Sequence, residues 1–141
     1  MERSASATWT GTLEQGGGEL SSASGVLANN RYSFNTRFGD GKGTNPEELL
    51  GAAHAGCYSM ALSKLLGDRG VTVARIDTRA TVSLDQTDGG FEISGVHLDT
   101  RIEAPGAEVR AVESAAEDAR EGCVVSKLFD TEITLDTTLV H

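Results

Sequence analysis

One apolar segment, residues 44–66, constrains the fold of this chain more than any other feature. It predicts a long helix, because Thr44 is a suitable N-cap, Pro46 is tolerated in the first turn, and Glu47 stands at the capping-box position. Gly67 and Gly70 then provide stop signals. Apolar residues cover most of the helix circumference, which is typical of a buried helix. The small residues that would let another backbone approach closely are Gly51, Ala52, Ala53, Ala55 and Gly56.

Alternating polar and apolar residues predict strands on both sides of this helix. Two hairpins are expected, one with strands over 6–11 and 19–24 and one with strands over 75–84 and 91–99. The other predicted elements are a strand over 31–36, a helix over 107–121, a short helix over 123–129 and a strand over 131–140. The predicted inward residues of the helix over 107–121 are Val109, Val112, Ala115, Ala116 and Ala119. The chain length is that of a single domain, residues 1–141.

The charge of the chain argues against one class of partner. Its formal net charge is −9, whereas binding to nucleic acid or to an anionic membrane needs concentrated Lys and Arg. The first residues are polar, and no segment reaches the roughly 20 apolar residues that span a bilayer. A cytoplasmic location is therefore expected. The low apolar fraction, 38%, favours a core that a second subunit completes.

Cys57 and Cys123 are the only cysteines of the chain. Two cysteines in a cytoplasmic protein are more often catalytic, redox-sensing or inert than a structural disulfide. A thiol that attacks and a second thiol that resolves the product would make a two-cysteine reductase. The competing interpretation of each cysteine is a small, inert core residue.

A nucleophilic thiol must be ionised, and a free cysteine ionises only near pH 8.5 or so. Arg37 is a candidate activator, because a guanidinium stays charged even when it is buried. Glu47 is a candidate to orient Arg37 through a bidentate ion pair. The competing interpretations are a surface location for Arg37 and a capping role for Glu47.

Ten residues separate Glu47 from Cys57. On a regular helix this spacing corresponds to about 15 Å along the axis. If both residues belong to one site, Glu47 is therefore expected to come from a second subunit.

A zinc site formed by His54, Cys57 and Cys123 is a weaker alternative, because no fourth ligand and no paired ligand motif accompany them. His97 and His141 lack the context of a cysteine-protease pair. The glycines form no phosphate-binding loop. No metal and no organic cofactor is therefore expected, and His54 is interpreted as a packing residue of the helix.

Four segments carry a resemblance to a known family. Residues 25–38 and 43–57, the run Gly122-Cys123-Val124-Val125-Ser126-Lys127, and residues 132–136 together extend over nearly the whole chain. The sequence resembles the osmotically inducible protein C (OsmC) family, the sister group of the organic hydroperoxide resistance (Ohr) proteins. The stretch from Tyr32 to Arg37 favours the OsmC branch.

The resemblance implies an α+β fold, in which antiparallel sheets wrap around a long central helix in an intertwined homodimer. It also implies a thiol-dependent peroxidase of the oxidative stress response that prefers organic hydroperoxides to hydrogen peroxide. Cys57 matches the peroxidatic thiol and Cys123 the resolving thiol, so that a Cys57–Cys123 disulfide forms in each cycle. Arg37 matches the activating arginine and Glu47 the carboxylate that positions it. An external dithiol of the dihydrolipoyl type is the implied reductant.

Val124 departs from the family pattern, because relatives often have a proline after the second cysteine. A less rigid backbone is expected there. The apolar residues near Cys57, namely Leu50, Tyr58 and Met60, suit a substrate with an organic tail. The prediction is thus a hydroperoxide reductase, and the alternatives are a thiol redox sensor and a non-catalytic dimeric binding protein of the same fold.

Overall fold

The computed structural model describes residues 1–141, and the chain forms two compact units, Met1–Leu49 and Leu50–His141. The first unit contains an antiparallel sheet whose strands follow the chain order: β1 (Ala5–Thr10), β2 (Gly17–Ser22) and β3 (Asn30–Tyr32). No residue of this unit is buried, and every residue of β1 is exposed. The assignment of one domain to residues 1–141 stays a prediction.

The predicted strand over 31–36 is wrong in its second half, because a short helix, α1 (Phe34–Phe38), replaces it. Ser33 and Thr36 form a capping box. The Ser33 hydroxyl accepts a hydrogen bond from the Thr36 amide at 3.2 Å, and the Thr36 hydroxyl accepts one from the Ser33 amide at 2.8 Å. Arg37 consequently lies in the last turn of a helix rather than at a strand end.

The long predicted helix is present as α2 (Pro46–Asp68). Its N-cap is Asn45 rather than the predicted Thr44, because the Asn45 Oδ1 accepts a hydrogen bond from the Glu48 amide at 2.8 Å. Pro46 therefore occupies the first helical position, which suits a residue without an N–H. Glu48, not Glu47, accepts the Thr44 hydroxyl at 2.7 Å. Glu47 is thereby left available for another partner.

The expectation that α2 is buried around most of its circumference is wrong for the single chain. One stripe is buried: Gly51, His54, Tyr58, Leu62 and Leu66. The opposite side is exposed and carries small residues, with Met60 exposed to 76%. The exposed small residues are Ala52, Ala53 and Gly56.

The second unit holds a three-stranded sheet, formed by β4 (Arg75–Thr87), β5 (Gly90–Glu103) and β6 (Glu132–Val140) in that order. The hairpin of β4 and β5 is tighter than expected, since only Asp88 and Gly89 lie between the strands. Strand β6 pairs with β5 in parallel, so the expectation of purely antiparallel sheets is wrong here. A parallel pair needs a crossover connection, and α3 (Val109–Gly122) provides it.

The core of the second unit lies between the sheet, α2 and α3. It contains Leu62 and Leu66 from α2, Leu98 and Ile102 from β5, and the alanine face of α3. Val109, predicted to point inward, is exposed to 48%, because it occupies the first turn of α3. None of the helices has the combination of length and apolar character that crossing a membrane would require.

Candidate active site

The structure brings Cys57 and Cys123 together. Their Sγ atoms lie 3.0 Å apart, and both residues are free thiols. Cys57 is half-buried on α2, and Cys123 is buried directly after α3. The S–S bond of a disulfide is about 2.04 Å long, so a short movement of the two sulfurs towards each other suffices to form it.

Cys123 lies where the chain changes direction between α3 and the following 3₁₀ turn. Its amide donates to the carbonyl of Ala119 at 3.0 Å and closes α3, while its own extended conformation turns the chain away from the helix axis. The carbonyl of Cys123 accepts from the Lys127 amide at 3.1 Å, which begins the next turn, and Ser126–Leu128 form a 3₁₀ turn. The Cys123 Sγ accepts from the Ser126 amide at 3.5 Å, as an N-cap side chain does.

The two thiols differ in acidity within the single chain. Burial and the neighbouring Cys123 raise the pKa of Cys57, and the backbone amides of Val125 and Val124 oppose this rise. Burial also disfavours ionisation of Cys123, but hydrogen bonds from Cys57, Ser126 and the Val125 amide outweigh burial and lower the pKa of Cys123. The contact between the two sulfurs couples their ionisations, and burial, the largest influence on both thiols, disfavours a thiolate on Cys57 unless a positive charge is supplied.

Val124 contributes through its backbone. Its amide lowers the pKa of Cys57, and a proline at this position would have no N–H to donate. The departure from the family pattern therefore adds a hydrogen-bond donor next to the sulfur of Cys57.

Arg37 and Glu47 form a bidentate ion pair in the first unit. The Arg37 Nη2 donates to the Glu47 Oε1 at 2.6 Å, and the Nε donates to Oε1 at 3.0 Å and to Oε2 at 3.3 Å. The Glu47 side chain is 11% exposed and the Arg37 side chain 39% exposed. This geometry holds the guanidinium in one orientation and leaves part of it accessible to another group.

A pocket of about 330 Å³ lies beside Arg37, also within the first unit. Its apolar wall consists of four aromatic residues and one leucine, and the guanidinium stands over the Phe38 ring at 5.4 Å from the ring centroid. The residues of this wall are Trp9, Leu13, Tyr32, Phe34 and Phe38. Sequence reasoning missed this pocket, although the clustering of aromatic residues before position 40 is a signal that points to it.

The residues expected near an organic substrate are not arranged as a pocket. Tyr58 is buried in the core of the second unit, and Met60 is largely exposed.

His54 has a polar partner that sequence reasoning also missed. Its Nε2 lies 2.7 Å from the Ser126 Oγ, and its ring packs edge-on against Phe129 with 5.2 Å between ring centroids. The structure contains no group of three or more His, Cys, Asp or Glu side chains that could hold a metal ion. The interpretation of His54 as a packing residue is therefore incomplete, because its side chain is also hydrogen-bonded.

Comparison with known proteins identifies the family of the chain. Residues 39–138 match the family of OsmC-like proteins. The chain is 47% identical over 139 residues to peroxiredoxin OsmC of Escherichia coli (strain K12), which covers 99% of this chain and 97% of that protein. It is 28% identical over 100 residues to an organic hydroperoxide resistance protein of Xanthomonas axonopodis pv. citri, covering 70% of this chain and 68% of that protein.

Solved structures show the same fold. An organic hydroperoxide resistance protein from Elizabethkingia anophelis superposes with a TM-score of 0.75 at 24% identity, covering 100% of this chain and 98% of that chain. An OsmC protein from Legionella pneumophila superposes with a TM-score of 0.69 at 23% identity, covering 98% and 97%. The chain belongs to the OsmC family, which confirms the resemblance inferred from its sequence motifs. The α+β fold class is likewise confirmed.

Proposed function

We propose that this protein is a thiol peroxidase that reduces organic hydroperoxides to alcohols, and hydrogen peroxide less well. The observation that carries this proposal is the contact of 3.0 Å between the sulfurs of Cys57 and Cys123. A pair of free thiols at this distance can be oxidised to a disulfide in two steps and reduced again. The names of the relatives, a peroxiredoxin and an organic hydroperoxide resistance protein, support the same reaction.

In the first step, the Cys57 thiolate attacks the distal oxygen of the hydroperoxide. The S–O bond forms with the sulfur electron pair, the O–O bond breaks, and the alkoxide leaves and takes up a proton to become the alcohol. Cys57 becomes a sulfenic acid. We assign this role to Cys57 because it is half-buried and more accessible to a substrate, whereas Cys123 is buried.

The cation that ionises Cys57 is, in this proposal, Arg37 from a second copy of the chain. The thiol is a weak acid on its own, since burial raises its pKa. Arg37 is oriented by Glu47 and keeps an accessible edge. Glu47 and Cys57 both lie on α2, ten residues apart, a spacing that corresponds to about 15 Å along the axis. This separation does not apply when Arg37 and Glu47 come from one copy of the chain and Cys57 from the other.

Homodimer formation is supported by the exposed surfaces of the single chain. No residue among the first 49 is buried, although a stable sheet needs one face that is packed. The side of α2 that carries Ala52, Ala53, Gly56 and Met60 is also uncovered. We propose that a second copy covers both surfaces.

In the second step, the Cys123 thiolate attacks the sulfur of the Cys57 sulfenic acid. The S–S bond forms, and hydroxide leaves and is protonated to water. An external dithiol, which we propose to be of the dihydrolipoyl type, then reduces the disulfide by exchange and becomes a disulfide itself. All electrons pass through sulfur, so the cycle needs no metal, flavin or haem. Free thiols suit a cytoplasmic location.

The preference for an organic substrate is supported by the aromatic pocket at Arg37, whose volume of about 330 Å³ is sufficient for an alkyl or aryl group. The guanidinium at its edge is placed to bind the peroxide oxygens while the pocket binds the organic part.

The experiment that tests this function compares cumene hydroperoxide with hydrogen peroxide, with a dithiol as reductant. Catalytic consumption with a higher kcat/KM for cumene hydroperoxide supports the proposal. The Cys57→Ser variant should lose turnover, and the Cys123→Ser variant should accumulate a sulfenic acid that dimedone traps. One oxidation per chain without turnover would identify a redox sensor. No loss of thiols with peroxide would identify a binding protein.

A further inference from the structure

A buried hydrogen bond connects the segments that carry the two cysteines. The His54 Nε2 and the Ser126 Oγ lie 2.7 Å apart, and both residues are buried. His54 precedes Cys57 on α2 by three residues, and Ser126 follows Cys123 by three residues. On α2 this spacing places His54 next to Cys57 on one face of the helix, and the Ser126 amide contacts the Cys123 Sγ at 3.5 Å. The pair is therefore a second link between these segments, next to the sulfur contact.

The environment of His54 fixes the direction of this hydrogen bond. Burial lowers the pKa of His54, so the imidazole is neutral at neutral pH and carries one ring proton. The Nδ1 is buried and has no hydrogen-bond partner. A proton on Nδ1 would leave a buried N–H without an acceptor, which native structures rarely contain. The proton is accordingly on Nε2, which donates to the Ser126 Oγ.

This direction leaves the hydroxyl hydrogen of Ser126 free to donate elsewhere. Cys123 is the adjacent acceptor, since its Sγ already accepts from the Ser126 amide at 3.5 Å. The amide and the hydroxyl of Ser126 both lower the pKa of Cys123. The titratable group that faces Cys123 from α2 is Cys57, and His54 faces it through Ser126.

We propose that His54 and Ser126 are positioning residues of the resolving step. Together they hold a hydrogen-bond donor against the Cys123 sulfur, which lies 3.0 Å from the Cys57 sulfur that it attacks. This inference rests on the proposed function. The step that it accelerates is the attack of the Cys123 thiolate on the Cys57 sulfenic acid, which forms the disulfide and releases hydroxide.

A purely structural role of the pair makes a different prediction. Loss of a packing contact would lower stability without changing how disulfide formation depends on pH. Loss of a donor to the thiolate moves the pH midpoint of disulfide formation upward. When this midpoint rises by about one pH unit, the ionised fraction below it falls about tenfold, while the more basic thiolate gains about threefold in nucleophilicity. The net effect at neutral pH is then a loss of about threefold in the resolving rate.

The experiment follows sulfenic acid formation and disulfide formation separately after one equivalent of cumene hydroperoxide, using dimedone trapping at timed intervals and mass spectrometry between pH 5.5 and 9.5. We expect Ser126→Ala and His54→Leu to raise the midpoint of the second step and to slow it about threefold at neutral pH. The first step should be unchanged. His54→Gln, which keeps a donor near the Nε2 position, should restore most of the rate.

Ser59→Ala is the matched control, because it likewise removes one serine hydroxyl, in this case from α2. The Ser59 hydroxyl donates to the Ala55 carbonyl at 2.8 Å and is hydrogen-bonded to the Thr78 hydroxyl, also at 2.8 Å. The control should keep the wild-type midpoint. A wild-type midpoint in both Ser126→Ala and His54→Leu would overturn the inference.

A readout without peroxide separates this inference from the proposed function. Thiolate absorbance at 240 nm, followed in Cys57→Ser, reports the ionisation of Cys123 alone. Adding Ser126→Ala should move this titration to higher pH, and Ser126→Thr should leave it nearly unchanged. An unmoved titration would refute the donor role even if the protein were an active peroxidase. A titration moved to higher pH would support that role even if the wild type failed to reduce hydroperoxides.

Discussion

Substitution of Arg37 by methionine tests the central electrostatic argument of the proposed mechanism. A thiol with the ordinary pKa of 9.0 is ionised to only about 1% at pH 7, and burial reduces this fraction further. Complete ionisation by a guanidinium would thus raise the thiolate fraction about 100-fold. The more basic thiolate of the variant is intrinsically more nucleophilic by about tenfold. The expected loss from ionisation at pH 7 is therefore about tenfold.

Arg37 has a second effect that does not depend on pH. In the proposed transition state the guanidinium also donates to the leaving alkoxide, and loss of one such donor typically reduces a rate by about 10²–10³. The combined loss at pH 7 is then about 10³–10⁴. Above pH 10 or so the thiol ionises without help. The tenfold higher nucleophilicity of the variant thiolate then offsets part of the second factor, and the loss falls to about 10–10².

The assay is the rate of cumene hydroperoxide consumption with excess dithiol, for wild type and Arg37→Met between pH 6 and pH 10.5. Arg79→Met, which removes an exposed arginine of β4, is the control for net charge and should stay within about twofold of wild type. The reasoning is refuted if Arg37→Met retains the wild-type rate at pH 7. If the loss is equal at pH 7 and pH 10, Arg37 does not act by ionising Cys57.

Three further outcomes are expected. In Val124→Pro, the extended backbone of Cys123 (φ −60, ψ 132) accommodates a following proline, but the amide that favours the Cys57 thiolate is lost. Sulfenic acid formation at pH 7 should therefore slow by about threefold and recover at higher pH. A faster first step would contradict this expectation. In Gly51→Val, the new Cβ meets the Ala80 carbonyl oxygen at 3.1 Å, so the free energy of unfolding should decrease by about 1–3 kcal/mol. In Gly67→Ala, the new Cβ meets nothing within 4 Å, and the melting temperature should rise slightly. A lower melting temperature in both variants would contradict the packing argument. Because burial lowers the pKa of His54 below its ordinary value of 6.5, the unfolded chain binds the proton more readily, and stability should decrease as pH falls through 6.5 and below. Denaturant titrations at pH 7.5 and pH 5.5 measure this decrease. The difference in the free energy of unfolding between the two pH values should be smaller in His54→Leu than in wild type.

The sequence predicted the elements whose signals are local. The helix over 44–66 is present because its apolar run and Pro46 agree and Gly70 follows its end. Its N-cap was misassigned, and it continues through Gly67 to Asp68. Thr44 and Asn45 are both able to cap, and the preference of proline for the first helical position selects Asn45. The strand over 31–36 failed for a similar reason. Six residues with alternating character resemble a strand, while Ser33 and Thr36 also satisfy a capping box.

Features that depend on distant parts of the chain were harder to predict. The parallel direction of β6 follows from the crossover through α3, and the period of a strand carries no information on direction. Family resemblance paired Cys57 with Cys123, which local patterns did not. His54 was interpreted as a packing residue because Ser126, its partner, lies 72 residues away. The aromatic wall at Arg37 brings together residues from β1 to α1, none of which stands out alone.

The contact between Cys57 and Cys123 spans 66 residues of sequence, and this has a consequence during synthesis. At translation speeds of about 5–20 residues per second, the ribosome needs roughly 3–13 s to add the second cysteine after the first. During this interval the nascent chain has no neighbouring sulfur to quench an oxidised Cys57. No second copy yet supplies Arg37 either, so the nascent Cys57 thiol stays largely protonated, and this protects it from irreversible oxidation to sulfinic acid until Cys123 is in place.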